Sequence, residues 1–334
     1  MITVAIPTYN RGAILVETIE RLLALEPRAE AIVIADQTRE HPPDVAARLE
    51  RWAAEGAIRW LRLETPSIPR AMNDLLVEAK TPLVLFFDDD IIPNRDIVGA
   101  HLEAHRGRDE VWAVAGQVLQ PGEEPGRFLG VPRVPRSSSG GSRGTPRNSE
   151  EPEEPEEPEE LRGAASSLED LEFRFNGSEG CFVNNVMAGN LSVKRERALG
   201  IGGFDENFTG AAYRFETDFA MRLTAAGGKV WFEPRASLRH LQLATGGLRS
   251  YGDHRTAAIP AHSAGDYYFA LHHVPHFWRY AARRIVQNVG TRYLASHPWW
   301  IPGKLIGELR GFLLARELYR KGRRLRVVPP GKHP

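Results

Sequence analysis

Between Ile2 and Phe87 four short apolar runs, Ile2 to Ile6, Ala31 to Ala35, Ile58 to Leu63 and Leu83 to Phe87, alternate with segments of helical periodicity. Ile14, Leu15, Thr18, Ile19, Leu22 and Leu23 share one face of a helix expected over Ile14 to Leu25, and further helices are expected over Val45 to Ala54 and Pro69 to Ala79. Short apolar runs separated by helices are the pattern of a sheet covered by its own crossover helices. The first third of the chain therefore reads as two successive βαβ units, a Rossmann-like half-sheet.

The pattern stops between Pro132 and Glu160, where Arg, Ser, Gly and Pro give way to a Glu-Glu-Pro repeat with eight glutamates in residues 150 to 160. Such a composition cannot bury enough apolar surface to offset its ordering entropy, so a disordered acidic insert is expected at about 133–165. Ordered sequence resumes with Phe173 to Phe175, Cys181 to Met187 and a Gly-rich turn before Phe204. A helix is expected over Phe215 to Ala226 and a strand over Lys229 to Glu233. After His240 the chain becomes aromatic, His-rich and basic, with 13 Lys/Arg against Glu308 and Glu317 between His276 and Pro334. Two domains are expected, 1–245 and a helical, basic extension 246–334. His272, His273 and His276 do not have the spacing of a recognised ligand set and are expected to be structural or to line an acceptor.

Lys and Arg total 43 and Asp and Glu total 43, so no net charge argues for nucleic acid or another polyanion. Cys181 is the single cysteine, which excludes an internal disulfide and thiolate metal sites. The opening residues lack the basic and apolar regions of a signal peptide, and no run of about 18 apolar residues occurs. A cytoplasmic protein is the expectation. Leu305, Ile306, Leu309, Phe312 and Leu313 recur at helical spacing among Lys304, Arg310, Arg316, Arg320, Lys321 and Arg323. That stripe suits an interfacial helix on anionic lipid at the inner face of a membrane; packing on the catalytic domain or on a second subunit is the alternative.

Asp88, Asp89 and Asp90 follow Phe87 directly, which puts three carboxylates at the carboxyl end of a strand, where open α/β sheets bind ligands. Adjacent carboxylates repel unless a cation compensates, and a divalent ion carrying a diphosphate does so. The alternative is a solvated turn or a helix cap before Ile91. Pro7, Thr8, Tyr9, Asn10 and Arg11 end the first strand and Asp36 ends the second, at the same sheet edge. Hydroxyl, aromatic face and carboxylate suit a nucleobase, although Asn10 as a helix cap and Pro7 as a strand terminator would explain the same residues. The first strand-to-helix turn carries neither Gly-x-Gly-x-x-Gly nor a Walker sequence, which disfavours a nicotinamide dehydrogenase and a P-loop NTPase.

The order Val4-Ala-Ile-Pro-Thr-Tyr-Asn-Arg11, Ile32 to Asp36, and Phe86-Phe-Asp-Asp-Asp90 resembles that of family 2 glycosyltransferases. The resemblance continues in Arg70-Ala-Met-Asn73, Gly189-Asn-Leu-Ser192, Gly202-Gly-Phe-Asp-Glu206 and Phe215-Glu-Thr-Asp-Phe-Ala-Met-Arg-Leu223, and covers most of residues 1 to 240. It implies an α/β GT-A fold, a nucleotide-diphospho-sugar transferase with a Rossmann-like mixed sheet flanked by helices, here with a mainly helical C-terminal extension. It further implies a donor site of Pro7, Thr8, Tyr9, Arg11, Asp36, Arg70, Asn73, Asp88 and Asp89, a metal held by Asp88, Asp90 and His240, and Glu216 as catalytic base. Phe215 stands where the family has a first acidic residue. Asp218 and Arg222, four residues apart, read as an ordinary helix salt bridge.

The activity implied is inverting transfer from a nucleotide-sugar, a UDP-sugar by default with dTDP- and GDP-sugars fitting the same residues, to a glycan or other hydroxyl acceptor, as in polysaccharide biosynthesis. Mn²⁺ or Mg²⁺ would serve, and a histidine ligand favours Mn²⁺. Two rivals stand beside it. A nucleotidyltransferase usually carries a Gly-rich basic loop after its first strand, absent here. A non-catalytic scaffold of the same fold would bind no nucleotide.

Overall fold

β1 (Ile2–Thr8) pairs in parallel with β2 (Ala31–Asp36) on one side and β4 (Leu83–Phe87) on the other, and β3 (Arg59–Arg62) adds in parallel to β2. The structure, a computed structural model, describes residues 1–126, 175–242 and 258–326 together with Gly247 and Thr256. The acidic insert at about 133–165 and Phe173 lie outside these residues.

The crossovers are α1 (Ala13–Leu23), α2 (Pro43–Ala54) and α3 (Ile68–Glu78). Each buries one apolar stripe on the sheet: Leu15, Ile19 and Leu22; Val45, Leu49 and Trp52; Met72, Leu75 and Leu76. Pro43 and Pro69 sit in first turns, where a missing N–H costs no hydrogen bond. Asn10 is not the cap of α1; that position is Gly12, and Asn10 instead takes a left-handed φ of 57° while its N–H donates to Thr38 Oγ1.

Downstream of β4 the sheet turns mixed. β5 (Ile91–Pro93), α4 (Ile97–His105) and β6 (Val111–Leu119) precede β7 (Cys181–Val183), β8 (Asn190–Lys194), α5 (Arg195–Gly200), α6 (Phe215–Ala225) and β9 (Lys229–His240). The nine strands run β3-β2-β1-β4-β8-β6-β9-β5, with β7 also on β9. Ile91 opens a strand, so the aspartate triplet caps no helix. β9 is longer than expected because it bends: the β6 pairing passes from Gly116 with Glu233 to Gln117 with Ser237, leaving Pro234, Arg235 and Ala236 as extra residues. A proline that cannot donate to the ladder is tolerated in such a bulge. Beyond it β9 pairs antiparallel with β5, placing His240 opposite Ile91.

One buried polar cluster stitches this half together. Asn190 Nδ2 donates to the carbonyls of Gln117 and Ala236, its Oδ1 accepts from His101 Nε2, and Ser192 Oγ lies 2.8 Å from His101 Nδ1 and 2.9 Å from His105 Nε2. Burial lowers the pKa of His101 to about 4 and that of His105 to about 3. Both rings are therefore neutral.

The C-terminal helices are α7 (Ala264–His273), α8 (Phe277–Val289), α9 (Arg292–Ser296) and α10 (Ile301–Lys321). Tyr267, Tyr268 and Phe269 of α7 are fully buried. α10 approaches closely because Gly311 leaves room; a Cβ there would meet Ser263 Oγ at 2.0 Å. Of the apolar stripe of α10, Phe312 packs against Tyr267 and Phe277, whereas Leu305, Ile306, Leu309 and Leu313 are exposed. The buried residues of α10 are Lys304, Gly307, Glu308, Gly311 and Ala315.

Candidate active site

β4 is buried at all five positions, so its apolar residues hold the strand in the sheet and deliver Asp88, Asp89 and Asp90 to its carboxyl edge. The ends of β1 and β2, the loop before β8 and the N-terminus of α6 reach the same edge. They enclose a cavity of about 580 Å³ lined by Thr8, Tyr9, Arg11, Gln37, Asp88, Asp89, Asn185, Glu216 and His240, among others.

The three aspartates have different surroundings. Asp90 is fully buried, with Oδ1 3.0 Å from His240 Nε2 and Oδ2 3.4 Å from Arg11 Nη2, and its carbonyl accepts from the Leu241 N–H. Asp89 pairs with Arg11 Nε at 2.9 Å, yet burial outweighs that pairing and pushes its pKa up to about 7. Asp88 opens to the cavity, 3.9 Å from His240 Nε2. It fits only because residue 189 is glycine, since a Cβ there would lie 2.2 Å from Asp88 Oδ2.

Asp88, Asp90 and His240 offer ligand atoms all within 4.8 Å of one another, the one such group among the described residues. Two carboxylate oxygens and an imidazole nitrogen are a donor set for Mn²⁺ or Mg²⁺, and three acidic groups against one guanidinium leave negative charge for a cation to offset. His240 Nδ1 lies 3.1 Å from Gln120 Oε1, so the ring donates there, while Nε2, 3.0 Å from Asp90 Oδ1, would turn to a bound ion once its proton is displaced. Gln120 escaped the sequence reading because only the β6–β9 register brings it beside His240.

Glu216 stands at the start of α6. Its Oε1 accepts from the Ala188 N–H at 2.5 Å. Burial raises its pKa to about 7 against that hydrogen bond, and the negative charge of Asp88 adds to the rise. A carboxylate so poised can accept a proton near neutral pH.

Pro7, Thr8, Tyr9, Arg11, Asp88, Asp89, Glu216 and His240 come together around the cavity, with Asp90 just behind. Three residues expected at the donor do not. Asp36 is buried, its Oδ1 accepting from Thr38 N–H and its Oδ2 lying 2.6 Å from His41 Nε2 and 2.9 Å from Trp60 Nε1; Gln37 faces the cavity instead. Arg70 is exposed on α3 and is not among the lining residues. Asn73 is buried, exchanging hydrogen bonds with the N–H and carbonyl of Phe204, and so ties α3 to the turn before α6. The Asp218–Arg222 pair is more than a local bridge: His273 of α7 and Arg323 also reach Asp218. His272 packs against Tyr268 and Tyr319, and His276 opens α8, so the three histidines form no ligand group.

Residues 3–148 match the sequence model of glycosyl transferase family 2. No curated protein matches the chain. Among solved structures, the mannosyltransferase PcManGT from Pyrobaculum calidifontis, in complex with GDP-Man and Mn²⁺, is similar at TM-score 0.49 and 17% identity, over 96% of this chain and 79% of that one. GalNAc-T7 with UDP, GalNAc and Mn²⁺ gives a TM-score of 0.51 and 12% identity over 96% of this chain, which spans only 56% of that protein. TarS from S. aureus gives 0.46 and 13% identity, over 73% of this chain and 37% of that one. With the mixed sheet, the acidic edge of β4 and the family match in agreement, residues 3–148 belong to glycosyl transferase family 2, the fold is GT-A, and the protein is a glycosyltransferase.

Proposed function

We propose that the protein transfers a sugar with inversion from a nucleotide-sugar, a UDP-sugar by default, to a hydroxyl of a glycan acceptor. The observation that carries this reading is a single cavity with a proton acceptor, Glu216, on one wall and the Asp88–His240 pair on another. In such a displacement the acceptor oxygen bonds to the anomeric carbon as the bond to the diphosphate oxygen breaks, and the hydroxyl proton passes to Glu216. The Ala188 N–H anchors Oε1, which leaves Oε2 to take that proton. Asp88, Asp90 and His240 would hold a divalent ion, which when bound would offset charge on the departing diphosphate. Arg11, fixed between Asp89 and Asp90, keeps two of the three carboxylates in place. Thr8, Tyr9 and Gln37 line the part of the cavity nearest the parallel strands and are assigned to the nucleoside. GalNAc-T7, which shares the fold, was crystallised with UDP and Mn²⁺, and this supports both choices.

Binding is tested by thermal-shift titration with UDP, GDP and dTDP, each with and without Mn²⁺, because a ligand of the native state raises apparent stability. One nucleotide is expected to stabilise only with metal, and His240→Ala and Asp90→Asn should abolish that shift. No shift with any nucleotide would overturn the reading. Glu216→Gln should keep the shift and lower transfer by about 10²–10⁴-fold, the range for loss of a general base.

A further inference from the structure

α10 is inverted relative to a helix that packs by its apolar stripe. Lys304, Gly307, Glu308, Gly311 and Ala315 face inward. The inward charges satisfy each other, Lys304 Nζ lying 2.8 Å from Glu308 Oε1 while Tyr267 OH donates to Glu308 Oε2 at 2.7 Å. At 3.6 residues per turn, Leu305, Ile306, Leu309 and Leu313 occupy the opposite arc, and Leu309 and Leu313 are 58% and 52% exposed. Trp278 of α8, 71% exposed, lies against Phe312 with ring centroids 5.6 Å apart, and Trp299 and Trp300 stand exposed at the entrance to α10. A contiguous apolar and aromatic surface of this kind marks a contact with something apolar.

The charges around it have one sign. Arg279, Arg283, Arg316 and Arg320 are exposed, and none pairs with a carboxylate among the described residues. The two acids of this region are already engaged, Glu308 with Lys304 and Glu317 with Lys321. The chain's own acidic insert could match the arginines but not the leucines, because residues 148 to 160 contain no apolar side chain except proline. A second copy docked face to face by a two-fold axis would set these arginines against their own counterparts. No helix among the described residues is long and apolar enough to cross a membrane.

We infer that the outward face of α10, with Trp278, Trp299 and Trp300, seats the protein on an anionic lipid surface. The leucines and isoleucine enter the acyl boundary, the tryptophans lie at the headgroup level, and the arginines meet lipid phosphates. This inference is independent of the reaction proposed for the cleft.

The test uses the full chain with phosphatidylcholine vesicles, with and without phosphatidylglycerol. Sedimentation with the phosphatidylglycerol vesicles should exceed that with phosphatidylcholine alone by about tenfold or more at low salt, and tryptophan emission should move to the blue. Leu309→Glu with Leu313→Glu should reduce binding by about tenfold or more with an unchanged melting temperature, since these side chains face outward. Should that variant melt lower, Arg316→Ala with Arg320→Ala provides the second reading, and weaker binding to anionic vesicles alone is expected. Absence of binding to either vesicle, or undiminished binding by both variants, overturns the inference. A wild-type dimer that Leu309→Glu dissociates, with no vesicle binding, assigns the face to a second copy instead.

Discussion

Glu216 is the residue on which the chemistry turns, and its environment makes a signed statement about pH. A general base works deprotonated, and burial has raised this carboxyl to about 7. kcat/KM should therefore rise about tenfold per pH unit below 7 and level off above it. Glu216→Asp, which keeps the carboxylate but withdraws it by one methylene, should lower the plateau while retaining the sigmoid. A flat wild-type profile between pH 5.5 and 8, with chemistry rate-limiting, would remove Glu216 from the role of base. The residues readable from sequence share one property: Asp88, Asp90 and Glu216 sit in contiguous runs at the ends of elements, where local pattern and chemistry coincide. Gln37, Gln120 and Asn185 were not legible. Each reaches the cleft or its histidine through strand register or a loop path that no local motif encodes. Asp36 shows the converse case, a carboxylate in a suggestive position whose oxygens engage Thr38, His41 and Trp60.

At the scale of elements, the α4–β8 contact places two neutral histidines in the core, and neutrality has an acid cost. The unfolded chain protonates them near 6.5, whereas the folded chain resists until about 4 for His101 and about 3 for His105. Their contribution is thus fully present above pH 6.5 and is lost as pH falls toward those values. The total pH dependence is not diagnostic, because Glu216, with its raised pKa, binds a proton in the folded state first and acts in the opposite sense. A difference measurement isolates the effect. His105→Gln should cost stability at pH 7.5, and that cost should shrink by about 1.4 kcal/mol per pH unit below 6.5 in urea unfolding. Parallel stability curves for variant and wild type would contradict the account. Element type was legible where a strand is buried on both faces, as in β4, whose expected and observed limits coincide at Leu83 and Phe87. It was not legible for β5, three residues long, nor for the second half of β9, where Pro234 interrupts the run that continues to His240. Short strands and bulges are held by neighbours rather than by their own periodicity.

For the molecule as a whole, the question is how a helical C-terminal region bears on a site built by the sheet. Asp218, two residues after Glu216, is the junction. Burial alone would raise its pKa, but the hydrogen bond from His273 and the charges of Arg222 and Arg323 hold its carboxyl well below the usual range. The last described residues then run along the turn that precedes α6: Arg324 N–H donates to Asp205 Oδ1, Glu206 N–H to the Arg324 carbonyl, and Arg326 N–H to the Gly202 carbonyl. Asn73 grips the same turn from the α3 side. Sheet, α6 and C-terminal helices therefore share one polar joint, and the proposed boundary between 245 and 246 should not appear as two transitions in calorimetry. Arg323 is the test, since its guanidinium reaches both Asp205 and Asp218. Arg323→Ala removes one partner from each of two buried carboxylates and should cost about 1.5–3 kcal/mol, the range for a hydrogen bond to a charged group. Arg323→Lys should recover only part of that, because an ammonium cannot span two carboxylates in one fixed plane. If α6 is held in place through this joint, Arg323→Ala also lowers kcat at a temperature where the variant remains folded, with KM for the donor unchanged. A variant that melts as the wild type does would mean that Arg222 and His273 suffice for Asp218 and that the C-terminal return is not part of what places Glu216.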